Sequence, residues 1–365
     1  MSVPTPGQRV VIRYSEAGQL SDALGTVVEA SPEAVVVTTK RGPVTIPVAA
    51  IELVHEMPPA PTRAGKLHEI VSAEDLRRIS ANVWLPADTT WFHADNLRGD
   101  LQEDHTLVQT GWLLRANGGT TQRANSAMPL SSPGVPVAEA LELVERWFAD
   151  REQQAGFLIY SAGASNTLAA PCTELAAVFR SHGYAPGAPN LALSAATREV
   201  AGNASRPSEA ALPGLEIVEH EEPHALHWAA WGYPEDHPEH AAFARLVTGA
   251  DVRRFYSAIA VHPDGSRSLV GCVRLAVSQK WAVISNLVVS PALRRRGAGT
   301  ALVRAAAAAA ASRGFRSVLV EVDSRNEASL ALMRSLGFTE HHRYWHVRKS
   351  AEAPQGVATA SPAQA

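Results

Sequence analysis

The sequence predicts an α/β (α+β) chain: two lobes, each a mixed central sheet flanked by helices, behind a small all-β module. Three observations carry that prediction. Residues 1–57 hold only short Val- and Ile-bearing runs divided by turn residues. Residues 215–350 alternate long strand-like runs with helix signals. Between them, Phe179-Arg180-Ser181-His182-Gly183-Tyr184 parallels Met333-Arg334-Ser335-Leu336-Gly337-Phe338, each where a helix would end in a glycine cap before a strand. Asn125 precedes Gly183 by 58 residues and Asn286 precedes Gly337 by 51, so the two larger blocks read as copies of one unit. At 365 residues, 46 % hydrophobic and 19 % charged, the chain has the apolar content for several folded domains.

In the first block the strands are Arg9–Tyr14, Gly25–Ala30, Ala34–Lys40 and Val44–Val54, with turns at Glu16-Ala17-Gly18, Ser31-Pro32-Glu33 and Arg41-Gly42-Pro43. So short a block favours an SH3-like β-barrel over an α/β layer. Residues 58–66, opening Pro58-Pro59-Ala60-Pro61, read as a stiff linker. The second block, 67–199, begins with Ser72 three residues before Asp75, ahead of Leu76, Ile79 and Val83 on one helical face. Asn117-Gly118-Gly119 reads as a hairpin turn between Thr110–Ala116 and Thr121–Leu130, because Asn and Gly tolerate positive φ. A helix Val137–Ala149, a strand Gly156–Tyr160 and a helix Thr173–Ser181 follow, and residues 200–214 read as a second linker. The third block, 215–350, carries strands Arg254–Val261, Ser268–Val277 and Trp281–Val289, a helix from Gly299, a strand Ser317–Val322, a helix Glu327–Leu336 and a strand His342–Val347. The tail, 351–365, has the composition of a disordered segment.

The most specific stretch runs Leu287-Val288-Val289-Ser290-Pro291-Ala292-Leu293-Arg294-Arg295-Arg296-Gly297-Ala298-Gly299-Thr300. A strand runs out, a proline stops it, and a basic glycine turn opens a helix. Without Cβ atoms at 297 and 299, backbone N–H groups can approach an anion closely, and the helix dipole favours it. Arg294, Arg295 and Arg296 add charge-assisted contacts to phosphate. A dinucleotide fingerprint needs a small residue where Leu302 stands, and a P-loop needs a lysine that this turn lacks. Seven alanines, 305–311, support a helix here and nothing more.

What remains, Arg-x-x-Gly-x-Gly after Leu-x-Val-x-Pro, resembles the coenzyme A signature of the GNAT N-acetyltransferase superfamily, over residues 215–350. The order of parts also resembles an actinobacterial group with tandem GNAT-like lobes behind an SH3-like domain. The resemblance implies a GNAT fold, an acetyl-CoA co-substrate and no metal. It implies that Leu287, Val288 and Val289 line the pantetheine arm, that Arg294, Arg295, Arg296, Gly297, Ala298, Gly299 and Thr300 hold the pyrophosphate, and that Asn326 contacts the arm. An amide near Val289 would then polarise the acetyl carbonyl. Transfer to an amine needs a free lone pair, hence a general base; Glu321 matches a glutamate used so in some members. Many members carry a tyrosine acid where Met333 stands, and Tyr344 is the candidate substitute. A thiolate is also a fair leaving group unaided.

His220-Glu221-Glu222-Pro223-His224 has the letters of a zinc motif, but Pro223 fits the first turn of a helix and not its interior, so no metal is expected. Trp228 and Trp231 are candidates to wall the acceptor channel, as the early helices of GNAT proteins border the substrate. In the second block the stretch corresponding to the cradle, Ser131–Pro136, has no arginine and one glycine. That lobe therefore reads as degenerate, with Arg115, Arg123 and Asn125 as candidates for contacting an anionic acceptor. Residues 1–57 carry a net charge of −2 and a single aromatic, against nucleic-acid binding. Residues 215–350 carry +4, which suits an anionic co-substrate. No apolar run suggests a membrane span, and Cys172 and Cys272 form no pair motif, so a cytoplasmic protein is expected. The acceptor is an amine of open identity, small molecule or protein, and monomer and homodimer both stay open. A non-catalytic acetyl-CoA sensor is the alternative reading.

Overall fold

The computed structural model describes residues 8–39 except 17, 42–56, 66–94, 110–202 and 214–349, with residues 4 and 6. The expected linkers (apart from 66, 200–202 and 214) and the tail lie outside the described residues. The contacts divide the chain into two units, 1–65 and 66–365.

The first unit is an antiparallel sheet of β1 (Arg9–Glu16), β2 (Gln19–Ala30), β3 (Ala34–Thr39), β4 (Gly42–Pro47) and β5 (Ile51–Glu56), in the order β4-β3-β2-β1-β5. Period-two alternation sends Val10, Ile12, Ala23, Val27, Val35, Val37 and Ile46 to one buried face. β2 begins six residues earlier than expected, because β1 and β2 form a tight hairpin with Glu16 opposite Gln19 and Gly18 at φ +79°. The sheet is open: β4 and β5 are its two edges, and among the described residues no ladder joins them to close the expected barrel.

The second unit is built on one continuous sheet. Its strands are β6 (Asp88–Phe92), β7 (Trp112–Ala116), β8 (Ser126–Pro129), β9 (Gly156–Tyr160), β10 (Tyr184–Pro186), β11 (Asn190–Ala196), β12 (Leu215–His220), β13 (Arg253–Val261), β14 (Arg267–Ser278), β15 (Trp281–Val289), β16 (Ser317–Asp323) and β17 (Thr339–Lys349). They run in the order β12-β13-β14-β15-β16-β11-β17-β9-β8-β7-β6, with β10 added to β17. Strands from either side of residue 200 thus interleave. β11 sits between β16 and β17, and β17 pairs with β9, β10 and β11.

The helices are α1 (Leu67–Ile70), α2 (Ala73–Asn82), α3 (Val137–Ala149), α4 (Ala170–Ser181), α5 (Thr197–Ala201), α6 (Ala225–Ala230), α7 (His240–Thr248), α8 (Ala298–Ser312) and α9 (Glu327–Ser335). Ser72 caps α2 by accepting the Asp75 N–H at 3.0 Å. Gly183 and Gly337, the glycines of the internal echo, take φ +74° and +89° just past α4 and α9. α8 buries Ala298, Leu302, Val303, Ala306, Ala307 and Ala310, so the alanine run lets its axis seat closely on β13, β14 and β15. Burying Leu302 and Val303 fully contributes roughly 1.5–3 kcal/mol each. On the opposite face, α2 (Leu76, Ile79) shares a core with Trp228, Phe243, Leu246 and Val247 over Trp281 and Leu319. A helix from before residue 200 therefore covers strands from after it.

The expected 117–119 hairpin is a longer loop, because β8 starts only at Ser126, opposite Arg115. Asn125 organises that loop. Its Oδ1 accepts the N–H groups of Asn117 and Gly119, and its Nδ2 donates to the carbonyls of Thr120 and Thr121.

Candidate active site

β15 and β16 run parallel and pair only from Trp281–Ile284 against Ser317–Val320. Beyond Ile284 they part. A bulge on β15 against β14 lies at the same point, with Asn286 at φ +54°. Side chains of β15 pass there from buried to half-buried, from Ser285 through Leu287, Val288 and Val289. The Ser290 N–H donates to the Val270 carbonyl at 2.8 Å. By alternation the Val289 N–H turns away from β14, toward the gap. Ser285 Oγ, at the vertex, is buried without a partner.

The gap leads to the start of α8. Arg295 takes φ +64° and Gly297 φ +79°, a left-handed pair that curls successive N–H groups inward. Among the described residues, the N–H groups of Arg295, Arg296, Gly297, Ala298, Gly299 and Thr300 meet no protein acceptor, and no side chain caps the helix. Arg294, Arg295 and Arg296 are exposed, with Arg294 Nε donating to the Val289 carbonyl at 3.2 Å. At Gly299 a Cβ would come 3.1 Å from Leu332 Cδ2 and 3.7 Å from Val289 Cγ2, so a large side chain there crowds the end of β15 beside the cradle. The residues present thus fit a diphosphate and an extended arm: free amides, surplus cations and an orphaned hydroxyl along one channel. Asn326 caps α9, its Oδ1 accepting the Ser329 N–H at 3.1 Å, and Met333 is buried in the core.

Trp231 closes the far side of the gap, its Nε1 donating to the Asn286 carbonyl at 2.9 Å. Trp228 does not wall a channel. It is buried against Trp231, His240 and Phe243, where its large ring fills the core.

Glu321 and Tyr344 are buried in one closed polar cluster. Glu321 projects toward α2, its side chain 6 % exposed, where it pairs with Arg77 and accepts from Ser80 Oγ at 2.7 Å. Its second oxygen meets Arg123 Nε at 3.1 Å and the Tyr344 hydroxyl at 3.3 Å. Burial alone would push this carboxyl up; the Arg77 and Arg123 charges and the Ser80 hydrogen bond more than reverse that, to about 2. A carboxylate so held is a very weak base at neutral pH, and it has no free face. Tyr344 is fully buried, its ring beneath the Arg77 guanidinium at 4.3 Å, and burial pushes its hydroxyl up. Both residues pin α2, the 117–125 loop and β17 to β16.

Arg77 and Ser80 are missing from the sequence reading. They stand more than 240 residues from Glu321, and on a helix face they look like ordinary surface positions. Arg123 joins this cluster, a third exposed, while Arg115 is buried with Ser126 Oγ as its partner at 2.8 Å. Burial, then the neighbouring Arg77, lowers Arg115 to about 10. Asn125 is not available to an acceptor, because both ends of its amide are spent on the loop. In the stretch corresponding to the cradle, a Cβ at Gly134 would lie 2.9 Å from His93 and Ala94, and the Ala94 N–H is bonded to the Pro133 carbonyl. That turn is packed shut.

The His220-x-x-x-His224 segment behaves as its proline dictates: α6 starts after His224, and His220 stays on β12. The rings of His220, His224 and His227 nevertheless converge, with centroids 4.2–5.2 Å apart. Burial, then the neighbouring His224 and His220, lowers His227 to about 3.

A family model described as the acetyltransferase (GNAT) family matches residues 220–338, the stretch holding the gap and the cradle. Residues 220–338 are a GNAT-family acetyltransferase domain. A second model, the C-terminal part of the probable histone acetyltransferase Rv0428c, matches residues 103–166. The chain is similar to the probable histone acetyltransferase Rv0428c of Mycobacterium tuberculosis, 28 % identical over 162 residues, 42 % of this chain and 44 % of that protein. The matched stretch thus spans under half of the relative's length. Among solved structures it is similar to a GCN5-related N-acetyltransferase from Kribbella flavida (17 % identity, 67 % of this chain, 86 % of that one, TM-score 0.45). A tandem GNAT protein from the clavulanic acid biosynthesis pathway is similar at 18 % identity, over 62 % of this chain and 76 % of that one, with a TM-score of 0.46. Among the described residues, no helix is long and apolar enough to cross a membrane.

Proposed function

We propose that the GNAT domain transfers an acetyl group from acetyl-CoA to a primary amine by direct attack, both substrates being bound together. The observation that carries this is the set of unpartnered N–H groups from Arg295 to Thr300, at the end of the gap between β15 and β16. Those amides and Arg294–Arg296 take the pyrophosphate. Leu287, Val288 and Val289 line the arm, which the half-buried apolar surface of β15 suits. Asn326 keeps its amide nitrogen for the arm while its oxygen caps α9. The Val289 N–H, directed into the gap, polarises the acyl carbonyl, where negative charge develops.

Acetyl-CoA supplies the thioester: the amine nitrogen forms the C–N bond, the C–S bond breaks, and the thiolate departs. With Met333 in the family's tyrosine position, the thiolate leaves unaided, its ordinary pKa near 8.5 making that feasible. The ammonium proton passes to water; Glu321 and Tyr344 are too deeply committed to take part. We read the first unit as an SH3-like module, which the strand order and the single helical turn Val48–Ala50 before β5 support.

That same commitment of Glu321 and Tyr344 favours one second reading, an acetyl-CoA sensor without turnover. Calorimetry with acetyl-CoA and thiol release with a panel of amines separate the two. Binding with release supports the transferase, and binding without release across the panel supports the sensor. Gly299→Glu places a carboxylate in the cradle and is expected to abolish binding with the fold intact. Unchanged binding in that variant overturns both readings.

A further inference from the structure

Three histidines meet where β12 passes into α6, outside the proposed transfer site. His220 ends β12, His224 is the N-cap of α6, and His227 lies in its first turn. One ring nitrogen from each lies within 4.8 Å of the other two. The backs of two of them are fixed by one hydroxyl: His227 Nε2 and His220 Nε2 face Ser257 Oγ at 3.0 and 3.1 Å. A serine oxygen has two lone pairs and can accept an N–H from each ring. His227 Nδ1 accepts the His224 N–H at 3.1 Å, and His224 Nδ1 accepts the Leu226 N–H at 3.3 Å. Both rings therefore carry their proton on Nε2 and a lone pair on Nδ1.

We infer that His220, His224 and His227 form a binding site for a divalent transition-metal ion, zinc above all, with Ser257 orienting the rings. Imidazole-only ligand sets suit zinc, copper and nickel and do not suit magnesium or calcium. A ring nitrogen on the metal with the other N–H held by an outer partner is how ligating histidines are oriented. Metal–nitrogen distances near 2.0–2.1 Å place tetrahedral ligands roughly 3.4 Å apart, so the rings close by about an ångström. His220 and His224 are only half-buried and sit at a strand end and a helix cap, where side chains can make that shift. The exchange gives up two amide contacts at the helix start, one part-buried at 3.1 Å and one exposed at 3.3 Å. Trp231 and Phe255 pack on His227 and shield the inner side. The adjacent Glu221 and Glu222 are engaged by Arg254 and Arg253, so the ligand set is three histidines with one position left to water.

The test uses the full chain, stripped with a chelator, dialysed, and titrated with zinc chloride and separately with cobalt chloride. One equivalent is expected to bind, with the visible cobalt bands of a tetrahedral site. His220→Ala and His224→Ala are each expected to weaken binding at least about tenfold, and Ser257→Ala about tenfold. His237→Ala is expected to leave binding unchanged. The buried His227 is avoided, because its loss can unfold α6, and circular dichroism checks the other variants. No uptake by the wild-type chain, or uptake that His220→Ala and His224→Ala leave intact, overturns the inference. The readout is metal binding alone and is independent of acetyl transfer.

Discussion

Glu321→Gln separates a structural anion from a catalytic base. Glutamine keeps the side-chain shape and an acceptor for Ser80 Oγ, but it leaves Arg77 and Arg123 facing each other without an anion, with Arg115 close by. Removing one partner from a buried ion pair costs about 3–5 kcal/mol. The pull of this carboxyl down to about 2 by the same arginines has the same sign. The sign with pH follows. Below about pH 5 the unfolded chain begins to protonate Glu321, while the folded chain resists until about pH 2. The unfolded state then binds more protons, so this share of stability is complete above that window and drains away as pH falls through it. Urea unfolding at pH 7 and at steps down to pH 3 measures both effects. The variant is expected to lose roughly 3 kcal/mol at pH 7 and to show a flatter acid limb, while thiol release per folded molecule stays within about tenfold. Unchanged stability with a loss of about a thousandfold in turnover would refute the structural role and restore Glu321 as the base.

Gly299→Ala is expected to keep acetyl-CoA binding, because its Cβ meets side-chain ends alone, Leu332 Cδ2 at 3.1 Å and Val289 Cγ2 at 3.7 Å; calorimetry beside Gly299→Glu checks this. Asn125→Ala removes the acceptor for two loop N–H groups and should cost about 2–3 kcal/mol in urea unfolding, with no change in the KM for acetyl-CoA. Trp231→Phe deletes the hydrogen bond to the Asn286 carbonyl at the bulge; a severalfold rise in KM for acetyl-CoA is expected, read from thiol release. Residues 215–349 expressed alone lack β11, which leaves β16 and β17 with bare edges; aggregation or non-cooperative thermal unfolding is expected, against a sharp transition for the whole chain.

Local chemistry made much of this legible. The cradle could be read from a proline, three arginines and two glycines because each acts on its own backbone neighbourhood, and the helix at Ala73–Asn82 declared itself by its Ser72 cap and its apolar face. What stayed hidden was set at long range. β11 has the alternation of no solvent-facing strand, since Leu191 to Ala195 are buried on both faces, and nothing local says that its neighbours come from after residue 300. The surroundings of Glu321 and Tyr344 are hidden for the same reason: Arg77, which contacts both, is brought in by α2 from more than 240 residues away. The histidine cluster escaped because its geometry comes from a strand end meeting a helix cap, whereas the familiar spacing presumes one helix.

The interleaved sheet explains what a lobe without a working cradle contributes. β15 abandons β16 after Val320, and a strand left unpaired on both edges would expose backbone groups that folding must satisfy. β11 removes that difficulty by pairing β16 along its whole length, from Ser317 opposite Ala196 to Asp323 opposite Asn190. α2 then fixes the same strand from above through Arg77 and Ser80 on Glu321, one residue past the point of parting. Strand and helix from before residue 200 thus both bear on β16 where the gap opens, and on our proposal the Glu321 cluster serves there as a clamp, which the Glu321→Gln measurement decides.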